Sequence, residues 1–366
     1  MTAASAVEIK GDTTQAASSV RTHPYRFLGS FRFLLAFLVL VSHASGFLSD
    51  QLAPLGLGNI GVLLFFVVSG FVICEALDLF YRSSATRFLL NRCLKIFPAY
   101  WAALAIGYLV AWLTTPETTR GDPFALLVNA TLLLAYLPTG GGLLILSITW
   151  AVIIEFQFYF AAATIAFAGR SSGLRVSMTF GATVAALALY LVIWRTGSQA
   201  RFYGGFQFAP FFVFGSLAYF FIARRDVRLL PLLALAFLLS VHAYYLYSAR
   251  GDVAPGVWLG VDGTRWNLIW STIAYIVLSA LFFALAARRF PQRLERIDKR
   301  LGDITYAIYL VHMPVLLLAT HLGLAGGAAF GLVLTASLVV AIVIQRGIER
   351  PVVGLRNLLR GSRLYD

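Results

Sequence analysis

Residues Gly58 to Ile73 read GNIGVLLFFVVSGFVI, a run without a charge or a proline. It lies inside a longer apolar segment, 57–80, and a bilayer-crossing helix needs about 20 largely apolar residues. Backbone N–H and C=O groups in hydrocarbon must be satisfied within the crossing structure, which leaves helices or a closed barrel. The run lacks the period-two alternation of barrel strands. It reads as a membrane-spanning helix, and similar runs recur from Phe31 to the C-terminal tail.

Composition points the same way. Of 366 residues, 60% are hydrophobic and 12% are charged, with mean hydropathy +0.81. A soluble domain carries about 25% charged residues. The net charge of +13 is spread over short gaps between apolar runs, not gathered on one soluble face. That distribution is the positive-inside pattern, so it reports orientation and gives no reason to expect a nucleic-acid partner. Cys74 and Cys93 fall near the expected cytoplasmic side, so reduced thiols, no disulfide and no metal site are expected. Residues 1–28, beginning MTAASAVEIKGDTTQAASSV, are small and polar and read as a disordered cytoplasmic tail.

Eleven apolar segments follow, at about 31–48, 57–80, 94–114, 123–137, 143–168, 173–194, 205–223, 229–247, 267–287, 304–323 and 325–346. Loop charges fix their sides. Arg21, Arg26 and Arg32 place the N-terminus inside, as do Arg82, Arg87, Arg92 and Lys95 for the next basic gap. The strongest basic loop holds Arg288, Arg289, Arg293, Arg296, Lys299 and Arg300, and residues 351–366 form a basic cytoplasmic tail. Eleven crossings cannot keep both ends inside. Segment 123–137 is the shortest, and Pro123, Pro138 and Gly140–Gly142 bound it. The expectation is therefore an all-α polytopic membrane protein with ten transmembrane helices and one re-entrant or interfacial helix at about 123–137.

Ionisable residues within a span are costly and usually face a cavity. In the first span, FRFLLAFLVLVSH, Arg32 and His43 are three helical turns apart, on one face and roughly 16 Å apart along the axis. A snorkelling anchor and a hydrogen-bonded histidine are the bland alternatives. Glu155 lies mid-span in TWAVIIEFQFY, flanked by Trp150 and Tyr159, and needs a partner from another helix. By depth His43 is the candidate. Tyr306, Tyr309 and His312 recur at i, i+3 spacing as one polar ridge. Arg87, Arg92 and Lys95 open the third span and suit a phosphorylated cytosolic ligand, or act simply as positive-inside residues.

These stretches resemble the membrane-bound acyltransferase-3 family in five places. Arg32 to His43 is similar to the family's Arg/Lys, ten residues, His arrangement, and GNIGVLLFFVVSGFVI to its second-span motif. RFLLNRCLKIFPAYW (Arg87 to Trp101) resembles the basic third-span entry, with Lys95 where the family usually has arginine. TWAVIIEFQFY resembles a Trp-Ser-Leu…Glu…Gln-Phe-Tyr stretch, with Ala151 in place of serine. LGDITYAIYLVHMPV (Leu301 to Val315) and IERPV (Ile348 to Val352) match the C-terminal pattern.

The resemblance implies an acyltransferase-3 transmembrane domain over 29–350 in a multi-pass protein of the cytoplasmic (inner) membrane, with both termini cytoplasmic. It implies transfer of an acyl group, most often acetyl, from cytosolic acyl-CoA to a glycan or glycolipid hydroxyl, with no permanently bound cofactor. Partners would be the bilayer, acyl-CoA and the acceptor, with a homodimer possible. In that chemistry Arg32, Arg92, Lys95 and Arg87 hold the phosphates of acetyl-CoA. His43 is the general base with Glu155 beside it, the choice of primary base between them being open. Tyr306, Tyr309, His312, Trp150 and Tyr159 line the substrate site. The alternative is a transporter or export factor for a lipid-linked glycan or a proton-coupled solute, but inverted repeats and broken helices are not visible in the sequence.

Overall fold

A computed structural model describes residues 27–48, 52, 55–81, 84–114, 123–132, 145–168, 181–182, 184–192, 205–249, 264–288 and 290–360. The protein is all-α. Its helices are α1 (Leu28–Ala44), α2 (Leu57–Leu79), α3 (Ala85–Thr114), α4 (Pro123–Thr131), α5 (Thr149–Ala168), α6 (Ala209–Arg224), α7 (Leu230–Ala249), α8 (Thr264–Ala287), α9 (Gln292–His321), α10 (Gly326–Ile344) and α11 (Arg350–Arg360). Residues 181–182 and 184–192 are also helical.

Eight helical stretches among the described residues are long and apolar enough to cross a membrane, with Thr149–Ile165 a shorter apolar one. The expected crossing at 173–194 is described only in its middle. Helix α4 spans nine residues, about 13 Å at 1.5 Å per residue, too short to cross. The Pro138 and Gly140–Gly142 boundary of that segment and the polar residues 1–26 lie outside the described residues.

Two helices start earlier than their apolar runs, inside the basic gaps that precede them. Arg87, Arg92 and Lys95 lie on α3, which begins nine residues before the apolar run expected at 94. Arg293, Arg296, Lys299 and Arg300 occupy the first turns of α9, a 30-residue helix that continues unbroken into the apolar segment. The helix gains its backbone hydrogen bonds whether its surface faces lipid or water, so apolar length alone does not mark its start.

The most buried crossing is α2, packed against α1 on one side and α6 on another. Lipid tails give no hydrophobic drive between helices, so close packing of small residues must bring them together. Gly70 faces the Phe212 carbonyl and Gly215 faces the Val67 carbonyl, each where a Cβ would collide. Ser216 Oγ donates to the Phe212 carbonyl at 2.8 Å and approaches the Gly70 carbonyl at 3.3 Å.

Helices α1 and α9 cross where Gly29 and Gly302 meet. The residue before α1 is Phe27, which has no capping side chain. Asp298, on the α9 face and 2% exposed, supplies the cap from another helix. Its Oδ2 accepts from Gly29 N at 2.9 Å and its Oδ1 from Ser30 N. A carboxylate on the exposed amides of a helix start is a stabilising arrangement. We expect Asp298→Ala to cost about 1–3 kcal/mol, read as a lower thermal midpoint in detergent, and Asp298→Asn to recover part of it.

Candidate active site

Five helices enclose a cavity system at the basic end of the bundle, the end where α1 begins. One chamber of about 480 Å³ is lined by Arg32 of α1, Phe65, Phe66 and Ser69 of α2, Glu155 of α5, and Tyr306 and Tyr309 of α9. A second of about 260 Å³ shares Arg32, Ser69 and Glu155 and adds Arg92 and Lys95 of α3 and Tyr159 of α5. Arg32, Ser69 and Glu155 form the wall that the two have in common.

The floor is cationic. Arg92 is 4% exposed, its guanidinium 5.2 Å from the Phe88 ring centroid and 5.5 Å from that of Tyr159. Cation–π contact holds the charge there while its Nε has no hydrogen-bond partner. Lys95 lies in the field of Arg32, Arg92 and Arg356, with Glu155 as an opposing charge. Arg87 is not brought into this group: it is exposed, and its backbone N–H takes the Ser84 Oγ at 3.2 Å as a helix-start cap.

Glu155 Oε1 accepts from Ser69 Oγ and from Tyr159 OH, both at 2.6 Å. Those are lengths typical of charge-assisted O–H···O bonds. Ser69 was not singled out from the sequence, although it sits in the quoted Ser-Gly-Phe stretch of α2. Its position follows from its neighbour: Gly70 lets α6 come close on one side, leaving Ser69 turned to the cavity.

His43 and Glu155 are not hydrogen-bonded partners, as their expected common depth had suggested. Glu155 shares its chamber with Arg32, whereas His43 lies three turns away at the other end of α1. Helix α5 begins at Thr149, Glu155 stands in its second turn, and Tyr159 one turn further on meets the Arg92 guanidinium.

The partner of His43 is His312. His43 Nδ1 and His312 Nε2 are 3.1 Å apart, with ring centroids at 5.0 Å and planes 28° apart. His312 is fully buried, and its Nδ1 lies 3.2 Å from the Ile308 carbonyl. A carbonyl only accepts, so His312 Nδ1 carries the hydrogen. In the neutral ring His312 Nε2 is then the acceptor, and His43 Nδ1 donates to it. That fixes the His43 tautomer and leaves His43 Nε2 with its lone pair, on a side chain that is itself exposed.

Tyr309 joins the two ends. Its ring lines the cavity and stands 5.9 Å from the His312 ring, while its hydroxyl is spent on the Ile148 carbonyl at 3.0 Å. Tyr306 also lines the cavity, its hydroxyl 3.5 Å from the Ile96 carbonyl, the limit of a hydrogen bond. Trp150 does not line it. The indole packs with Phe66, Phe208 and Tyr247 behind the chamber wall, at 5.5–6.3 Å between centroids.

Residues 25–346 match the acyltransferase-3 family model, described as an acyltransferase domain. The chain belongs to the acyltransferase-3 family. It is a multi-pass membrane acyltransferase, and the transporter reading is set aside. No curated protein matches the acyltransferase, and no solved structure does. The match spans the whole set of helices that build the cavity, from the start of α1 into α10, and leaves α11 beyond it.

Proposed function

We propose that this acyltransferase takes an acyl group, acetyl foremost, from cytosolic acyl-CoA and passes it to a hydroxyl of a glycan or glycolipid. The observation that carries the reading is the order of the residues along the bundle. Arg92 and Lys95 line one chamber, Arg32, Ser69 and Glu155 stand between it and the next, and Tyr309 of that second chamber packs its ring beside His312. The cations suit a phosphorylated ligand, and Val62, Phe65 and Phe66 suit the methyl and methylene groups of a pantetheine arm. The distribution of basic residues supports a cytoplasmic position for this end and for both termini, in the inner membrane.

In this reading His43 Nε2 takes the proton of the acceptor hydroxyl as its oxygen attacks the thioester carbonyl carbon. The C–S bond then breaks, the leaving sulfur receives that proton from His43, and an oxygen ester is formed. His312 orients His43 and stabilises its imidazolium through the Nδ1–H bond, the part an acid plays in a triad. His43 is thus the primary base. Glu155 holds Ser69 and Tyr159 and balances Lys95, shaping the donor path instead of touching the base. Tyr306 and Tyr309 line that path.

Two measurements test the proposal together. Acetyl-CoA should raise the thermal midpoint of the purified protein in detergent, by about 2.7 kcal/mol of stabilisation at a hundredfold excess over Kd. The surface glycan of cells lacking the gene should lose an ester-linked acetyl group. Absence of any stabilisation by acyl-CoA, or an unchanged ester content, would sink it.

A further inference from the structure

The C-terminal helix α11 carries residues that read from sequence as nothing more than a basic tail. It is amphipathic and packs against α3. Asn91 of α3 anchors it, donating from Nδ2 to the Arg356 carbonyl at 2.9 Å. The next residue on α3 is Arg92, at the floor of the donor cavity. Arg356 acts electrostatically on Arg92, Lys95 and Arg360. The Arg360 guanidinium stands 5.7 Å from the Phe80 ring centroid.

Three arginines from two helices thus converge, and each has the same defect. Among the described residues the Nε atoms of Arg92, Arg356 and Arg360 are all buried without a hydrogen-bond partner, as are Asn91 Oδ1 and Tyr81 OH beside them. Burying a guanidinium donor unpaired costs free energy and places like charges together. Glu349 and Asp303 also act on this group, and Glu349 Oε1 is itself without a partner. With Glu155 they make three carboxylates against six cations: Arg32, Arg92, Lys95, Lys299, Arg356 and Arg360.

We infer that α11 is part of the donor site, and that Arg356 and Arg360 close with Arg92 around the phosphate groups at the nucleotide end of the acyl donor. Phosphate supplies the acceptors the Nε atoms lack, and guanidinium forks match its geometry. The inference rests on the acyl-CoA reading above. It adds that the site is not closed by the crossing helices alone.

The test uses full-length protein in detergent and three probes: CoA, pantetheine and phosphatidylglycerol. In Arg356→Gln/Arg360→Gln the Kd for CoA should rise at least about tenfold, the effect of losing one charge-assisted hydrogen bond. The weak affinity for pantetheine should not change, and Arg356→Lys/Arg360→Lys should recover part of the CoA affinity. An unchanged melting temperature without ligand shows that the variant is folded. Equal CoA affinity in wild type and double glutamine variant overturns the role of α11 while leaving the donor reading in place. Loss of stabilisation by phosphatidylglycerol but not by CoA overturns it in favour of a lipid headgroup. Failure of wild type to bind CoA overturns the donor reading itself.

Discussion

His43→Ala is expected to reduce acyl transfer by about 10²–10⁴-fold, the range for losing a positioned general base, while donor-induced stabilisation persists. The expectation follows from two features of the pair. His43 is exposed at the last turn of α1, so its removal leaves no core cavity. Its Nδ1 is engaged by His312, so the whole loss falls on the free Nε2. His312→Ala should lose less, because His43 remains but its ring is free to turn. His312→Gln should recover part of that loss, since a side-chain carbonyl can accept from His43 Nδ1. A His43→Ala enzyme with full turnover would refute the mechanism. Equal losses in His312→Ala and His312→Gln would remove the orienting role and leave the base.

The largest effect on stability is expected from Gly215. A Cβ there would run into the carbonyl of Val67, and one at Gly70 into that of Phe212. Both obstacles are backbone in paired helices, so neither side chain rotation nor local relaxation relieves them. Overpacking in cores commonly costs about 1–3 kcal/mol, and Gly215→Val should exceed that range and prevent recovery of folded protein. Gly331→Ala is the control, because a Cβ at Gly331 in α10 meets nothing. Alanine is the better helix former by about 1 kcal/mol, so this variant should be neutral or slightly stabilised. Size-exclusion profiles after graded heating would compare them. A Gly215→Val protein as stable as wild type would show that α2 and α6 are not held at backbone contact.

The all-helical, polytopic character was legible because hydrocarbon imposes it segment by segment, and GNIGVLLFFVVSGFVI needs no distant residue to be read. The face shared by Arg32 and His43, and the ridge of Tyr306, Tyr309 and His312, were legible for the same reason. What could not be read was which face meets which. His43 and His312 are 269 residues apart, and no local periodicity joins them. Glu155 shares its chambers with Arg32, Arg92 and Lys95 of two other helices, and nothing in its own apolar run marks those neighbours. Arg356 and Arg360 looked like orientation charges, since only the docking of α11 on α3 turns them inward.

The closeness of α2 and α6 has a consequence for the newborn chain. Ser216 and Gly70 are 146 residues apart, and synthesis at about 5–20 residues per second separates their emergence by on the order of ten seconds. During that interval α2 waits in the bilayer with its groove unfilled, and Ser69 waits for Glu155. His43 waits 269 residues for its partner on α9. A half-made chain already embedded in the membrane therefore holds His43 with its Nδ1 still unmet.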